Sequence, residues 1–214
     1  MPPEPEAALA REVEVLQASL TADPDDLTTL NNLACCLLGL GQVEEALRLL
    51  EGASARWGKD ACLANNLGFA RLRAGRPAAA EAAFCKALVL TPEDPETLNH
   101  LGLARAAQER WPEAVDCARR ALEAAPPPPL QSDLLNNLGC AFRDLGTLPE
   151  AASVFRRALA LSPSEAEIAN NLGCTQLALG DLEEARLTLG QAARLAPGDS
   201  AIQQNLRRCL ERGS

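Results

Sequence analysis

The sequence predicts an all-α solenoid built from antiparallel helix pairs. Three observations carry that prediction: a recurring tetrapeptide, small-residue columns that keep its period, and a composition suited to helices. Asn-Asn-Leu-Ala fills 31–34, Asn-Asn-Leu-Gly fills 65–68, 136–139 and 170–173, and Asn-His-Leu-Gly fills 99–102. The spacings are 34, 34, 37 and 34 residues, and a degenerate Gln-Asn-Leu-Arg begins at Gln204, again 34 residues on. A fixed period of this length marks a repeat architecture, in which each unit buries its apolar face only against its neighbours.

Other columns obey the same period. Twelve residues after each Gly or Ala of the tetrapeptide come Ala46, Ala80, Ala114, Ala151 and Ala185, and seven further on come Ala53, Ala87, Ala121, Ala158 and Ala192. Five residues later stands a helix stop, Gly58, Pro92, Pro126, Pro163 or Pro197. Each unit therefore reads as two helices. The first carries Leu33, Leu67, Leu101, Leu138 or Leu172. A turn follows at Gly41, Gly75, Gly146 and Gly180, with Glu109 in the third copy. The second helix has its own stripe, such as Leu148, Ala151, Phe155, Ala158 and Leu159.

The composition agrees. Of 214 residues 47% are hydrophobic but only 3% aromatic, with no Tyr, so Leu, Ala and Val must build the core. Leu and Ala favour helix, and β-branched residues are scarce. The net charge of −9, with lysine only at Lys59 and Lys86, argues against nucleic-acid and anionic-membrane partners. Arg207, Arg208 and Arg212 read as solvated charge at a helix end. The N-terminal stretch lacks the basic start and apolar run of a secretory signal, and no apolar run is long enough to span a bilayer, so a cytoplasmic protein is expected.

The eight cysteines form no Cys-x-x-Cys, and His100 is the only histidine, so no metal site is expected. Cys36, Cys85 and Cys117 sit in helical apolar patterns, and the thiols are expected to be free and mostly buried. No phosphate-binding Gly-rich loop, zinc-protease motif, nucleophile elbow or Cys/His pairing is present, which predicts neither enzyme nor cofactor.

The period, the Leu-Gly of the first helix, the two spaced alanines and the terminal proline resemble the tetratricopeptide repeat. That resemblance implies a right-handed superhelical solenoid of five units, 27–60, 61–94, 95–131, 132–165 and 166–199, with capping segments at 1–26 and 200–214. The large aromatics usual in the family's first helix are replaced by Leu30, Ala64, Leu98, Leu135 and Ala169. Within the caps, 6–21 reads as a lone second helix and 1–5 as frayed. In the C-terminal cap Ile202, Leu206 and Leu210 are expected inward, and Gln203, Arg207 and Arg208 outward. Pro126 to Pro129 account for the 37-residue spacing and favour a stiff polyproline segment, either a pivot or a passive loop.

All ten asparagines lie in two adjacent columns. One is Asn31, Asn65, Asn99, Asn136 and Asn170, with Gln204 in the cap; the other is Asn32, Asn66, Asn137, Asn171 and Asn205, with His100 in the gap. Helical asparagine costs about half a kcal/mol relative to alanine, so ten of them need an offset. The second column resembles the asparagine ladder of the O-linked N-acetylglucosamine transferase superhelix, which implies amides that grip the backbone of an extended peptide. Such amides equally suit bonds between neighbouring helices, and both readings stand at this point. One turn on, Cys35, Phe69, Leu103, Cys140 and Cys174 would form an apolar groove floor. His100 reads as a neutral substitute for an amide ahead of a pH sensor. Chaperone-type binding of an acidic tail is not expected, because no lysine lies in any first helix. The expectation is a monomeric, non-catalytic scaffold that binds a protein or peptide. The alternatives are an accessory subunit of an enzyme complex or a self-assembling solenoid.

Overall fold

The computed structural model describes residues 5–212. Among them lie twelve α-helices and no strand: α1 Pro5–Ala22, α2 Leu27–Gly39, α3 Val43–Arg56, α4 Ala61–Arg73, α5 Pro77–Leu90, α6 Pro95–Ala106, α7 Trp111–Glu123, α8 Pro128–Asp144, α9 Leu148–Leu161, α10 Ala166–Leu179, α11 Leu182–Leu195 and α12 Ser200–Arg212. The all-α prediction and its count of about twelve helices therefore hold for these residues. The chain forms two compact units, 1–108 and 109–214. In the first unit each of α1 to α6 packs on the next, and in the second each of α7 to α12 does.

Local chemistry starts and stops these helices at the expected places. Asp26, Asp60 and Asp94 cap α2, α4 and α6 through their carboxylates, at 3.0 Å to Thr28 N, 2.7 Å to Leu63 N and 2.8 Å to Thr97 N. Proline occupies the first turn of α5, α6, α7 and α9, where its missing N–H has no bond to lose. The turn glycines Gly41, Gly75, Gly146 and Gly180 have φ between 70° and 89°. After each, the next N–H donates back to the carbonyl five residues earlier, for example Gln42 N to Leu37 O at 2.8 Å. This is a Schellman closure, repeated four times. Glu109 takes the same left-handed backbone, φ 60°, without glycine's freedom.

Both alanine columns are buried, with no member more than 5% exposed. Close approach of the paired helices explains the Leu-Gly motif. A Cβ built on Gly68 would lie 2.5 Å from the Phe84 ring, on Gly139 2.6 Å from Phe155, and on Gly173 2.6 Å from Leu189. The first repeat places Ala34 in this column, and both Ala34 and Leu50 are fully buried.

Four expectations need correction. The proline insert is not a four-residue polyproline segment: Pro128 and Pro129 open α8, while Pro127 keeps an extended backbone, φ −60° and ψ 154°. The insert instead lengthens α8 to 17 residues against 13 for α2, so Asn136 sits one turn deeper in its helix than Asn31 does. All four prolines lie inside the second unit. In the cap, Leu210 is 49% exposed and Cys209, at 2%, takes the inward place beside Ile202, with Leu206 half-buried. The cysteines are not mostly buried: Cys36, Cys117 and Cys209 are, whereas Cys35, Cys62 and Cys85 are exposed. Pro5 already belongs to α1, and the fraying expected for 1–4 lies outside the described residues.

Two substitutions test these packing statements by thermal or urea unfolding. Gly139→Ala should cost about 1–3 kcal/mol, because the ring of Phe155 is buried and cannot retreat; adding Phe155→Leu, which recreates the Ala34/Leu50 pairing, should recover part of that. Glu109→Gly should stabilise by about 1 kcal/mol by relieving the left-handed strain. The corresponding rise in Tm is about 2–4 °C.

Candidate functional site

The asparagine columns sit at the fifth and sixth residues of α2, α4, α6 and α10, and one turn later in α8. At about 100° per residue, the second-column residue lies roughly 160° around the helix from the Gly position that faces the paired helix. The first-column residue lies about 60° from it. The two columns therefore look toward neighbouring repeats, and they bond to each other. Asn66 Nδ2 donates to Asn31 Oδ1 at 2.9 Å, Asn171 Nδ2 to Asn136 Oδ1 at 3.1 Å, and Asn205 Nδ2 to Asn170 Oδ1 at 3.0 Å. Asn66, Asn171 and Asn205 thus reach back to the first column of the preceding repeat. This diagonal register was not read from the sequence, although the invariant adjacency of the two columns was its signal.

His100 enters the same register. Its Nδ1 lies 3.1 Å from Asn65 Oδ1. A carbonyl oxygen only accepts, so Nδ1 carries the proton and Nε2 is left as an acceptor. The ring packs against Phe69 at 4.9 Å and Phe84 at 5.6 Å between centroids. Burial pushes its pKa down to about 4, against a smaller opposing pull from Asp94. The imidazole is therefore neutral at physiological pH, as expected of an amide substitute.

Asn32 and Gln204 are exposed, and the other ten residues of the two columns, the remaining asparagines and His100, are half-buried. Of the expected floor, Cys35 is exposed and Phe69, Leu103, Cys140 and Cys174 are half-buried. The thiols of Cys35, Cys140 and Cys174 are pushed up by burial, so they stay protonated and are poor nucleophiles. No group of three His, Cys, Asp or Glu among the described residues is placed to hold a metal ion. No helix among them is long and apolar enough to cross a membrane.

The two units use their amides differently. In the second, Asn171 is engaged on both sides: Nδ2 bonds Asn136, and Oδ1 accepts from Arg143 Nη1 at 3.3 Å. Asn136 donates in turn to Glu167 Oε1 at 3.4 Å. Asp133 lies nearby, its pKa raised by burial and then by the like charges of Glu165 and Glu167. In the first unit, Asn31, Asn32, Asn65 and Asn66 line a depression of about 380 Å³, with Cys35 and Cys62 beside them and Asp60 and Glu96 at its edge. Among the described residues only Asn31 Oδ1, Asn66 Nδ2 and Asn65 Oδ1 of these four amides are bonded, which leaves their other polar atoms unpaired.

Fold and site together define a helix-pair repeat protein whose first helices present a row of amides. The profile of the tetratricopeptide repeat matches residues 31–96, 65–129, 100–166 and 136–200, and the chain belongs to that family. Tetratricopeptide repeat protein 8 of Caenorhabditis elegans is 27% identical over 168 residues, 77% of this chain and 31% of the relative. The chain thus spans about a third of that relative's length. Among solved structures, a thermophilic tetratricopeptide-repeat protein of Thermus thermophilus superposes with a TM-score of 0.72 at 23% identity, covering 86% of this chain and 98% of that one. PilF of Pseudomonas aeruginosa gives 0.72 at 19%, covering 85% and 87%. YrrB, described as a repeat protein with an unusual peptide-binding site, gives 0.63 at 22%, covering 92% and 99%. These structural likenesses are likenesses of fold. Repeats of this family generally mediate contacts between proteins and are generally non-catalytic.

The His100 geometry sets a pH dependence. Its folded pKa lies below its ordinary value of 6.5, so the unfolded chain binds the extra proton between the two values. The stability that His100 contributes is complete above 6.5 and is lost as pH falls toward 4. Between pH 7 and pH 5 this amounts to about 2 kcal/mol. Chemical unfolding at the two pH values should show that difference in the parent and its absence in His100→Asn, which keeps the donor to Asn65.

Proposed function

We propose that the chain is a non-catalytic scaffold that binds an extended peptide segment of a partner protein along its first helices. The observation that carries this reading is the confinement of every asparagine to the two columns, with amide groups of Asn31, Asn32, Asn65 and Asn66 left unpaired in one depression. A primary amide donates and accepts, so it matches a peptide unit whatever the side chain. Neighbouring first helices pack roughly 10 Å apart, which equals about three residues of extended chain. Asn99 and His100 continue the columns in the first unit, and the second unit has its own set in Asn136, Asn137, Asn170, Asn171 and Asn205. Cys35, Phe69, Leu103, Cys140 and Cys174 supply the less polar floor. The structurally similar YrrB is itself described as having a peptide-binding site. In this reading the protein works as a cytoplasmic monomer without a cofactor.

The diagonal bonds favour a second role for the same residues, the tying of repeat to repeat. The two roles separate at Asn32, which is exposed and carries no bond. Selection of a displayed library of random twelve-residue linear peptides against the whole chain supplies the probe. Selected peptides should bind Asn32→Ala/Asn66→Ala at least about tenfold more weakly, since each lost bond is worth about 0.5–1.5 kcal/mol. Asn32→Ala alone should leave stability unchanged or raise it by about 0.5 kcal/mol. Unchanged affinity in the double variant would leave only the structural role.

A further inference from the structure

The depression of the first unit has a sign of charge as well as a shape. Asp60 and Glu96 stand at its edge, and no lysine or arginine lines it. Neither carboxylate forms an ion pair among the described residues. Asp60 spends one oxygen, Oδ1, on the cap of α4, 2.7 Å from Leu63 N. Each carboxylate sits at a helix N-terminus, α4 for Asp60 and α6 for Glu96, where the helix offers about half a positive charge. Two full negative charges against two such halves leave a net charge of about −1 at a concave surface. Among the amides, Asn66 Oδ1, with Nδ2 already given to Asn31, is an acceptor left for a donor to fill. The Cys35 thiol, pushed up first by burial and then by the charge of Glu96, registers the same field. Arg56 and Lys59 line an adjoining depression that shares Leu27 and Asp60 with this one.

We infer that this depression receives a lysine or arginine side chain of the bound segment, so that the partner of this chain is a basic peptide. The inference rests on the peptide-binding reading above and adds the charge of its ligand. A cation in the depression is attracted by both carboxylates, and Leu27, Cys35 and Cys62 give its stem a less polar lining. The neighbouring amides then meet the backbone on either side. An acidic segment would bring like charge into the same space, and the −9 net charge of the chain would oppose its approach at longer range.

The peptides selected from the twelve-residue library test this directly. They should be enriched at least about twofold in lysine and arginine over the unselected library and depleted in aspartate and glutamate. The best of them should bind Asp60→Asn/Glu96→Gln at least about tenfold more weakly, with the loss shrinking at high salt. Asparagine caps a helix as well as aspartate does, so this variant keeps the start of α4. A control that removes two charges elsewhere, Glu150→Gln/Glu184→Gln, should bind as the parent does. Peptides that lose affinity for Asn32→Ala/Asn66→Ala yet bind Asp60→Asn/Glu96→Gln at parental strength overturn the basic-partner inference alone. Peptides indifferent to the asparagine substitutions overturn the peptide-binding reading beneath it, and a library that yields no binder overturns both. Selected sequences without a basic excess overturn the inference whatever their affinity.

Discussion

The close approach of the two helices of a repeat is the constraint on which the remaining structure depends. At Gly68, Gly139 and Gly173 the first helix presents no side chain, and Phe84, Phe155 and Leu189 fill the space. Glycine within a helix costs about 1 kcal/mol relative to alanine. Full burial of a phenylalanine or leucine returns about 1.5–3 kcal/mol, so the exchange is favourable wherever the partner is large. The same contact fixes the rotation of the first helix about its own axis. Once the glycine faces the paired helix, the asparagines two and three residues before it must look toward neighbouring repeats. Their columns follow from a packing decision in which they take no part.

What the columns do there is decided by magnitudes. A helical asparagine costs about half a kcal/mol against alanine, and one shared amide bond is worth about 0.5–1.5 kcal/mol. Each diagonal bond uses two asparagines, so cost and return nearly cancel for a half-exposed pair such as Asn66 and Asn31. The bonds define the register of one repeat against the next more than they stabilise it. Stability alone therefore does not account for asparagine at every repeat.

Much of this was legible in the sequence because repetition multiplies weak signals. One Ala or Gly says little, but Ala46, Ala80, Ala114, Ala151 and Ala185 at one spacing specify a buried contact, and all are buried. Glu109 was legible as a turn residue from its column alone and does take the left-handed backbone of the glycines it replaces. Where the period breaks, the reading weakened. Pro128 and Pro129 looked like a stiff linker because four prolines in a row favour that conformation, yet proline in the first turn of a helix loses no bond, and the helix simply began earlier. In α12 the spacing of Ile202, Leu206 and Leu210 suggested one stripe, but with no paired helix beyond it among the described residues Leu210 stays exposed and Cys209 turns inward. The bonds between columns were invisible for a different reason. They join residues 35 apart on separate helices, and periodicity reports the face a residue occupies, not the neighbour it meets.

His100 shows which property of the second column matters. It replaces an asparagine yet preserves the donor, since its Nδ1–H meets Asn65 Oδ1 as an amide would. It gives up the amide's other face, the carbonyl, and offers Nε2, which is again an acceptor. Packing against Phe69 and Phe84 keeps it neutral, so the position contributes no positive charge. In the first unit the second column leaves Asn66 Oδ1 as an acceptor, in the depression that Asp60 and Glu96 also line. In the second unit Arg143 already fills the corresponding oxygen of Asn171. Within that column an arginine of the chain itself occupies in one unit the kind of acceptor that the other leaves open.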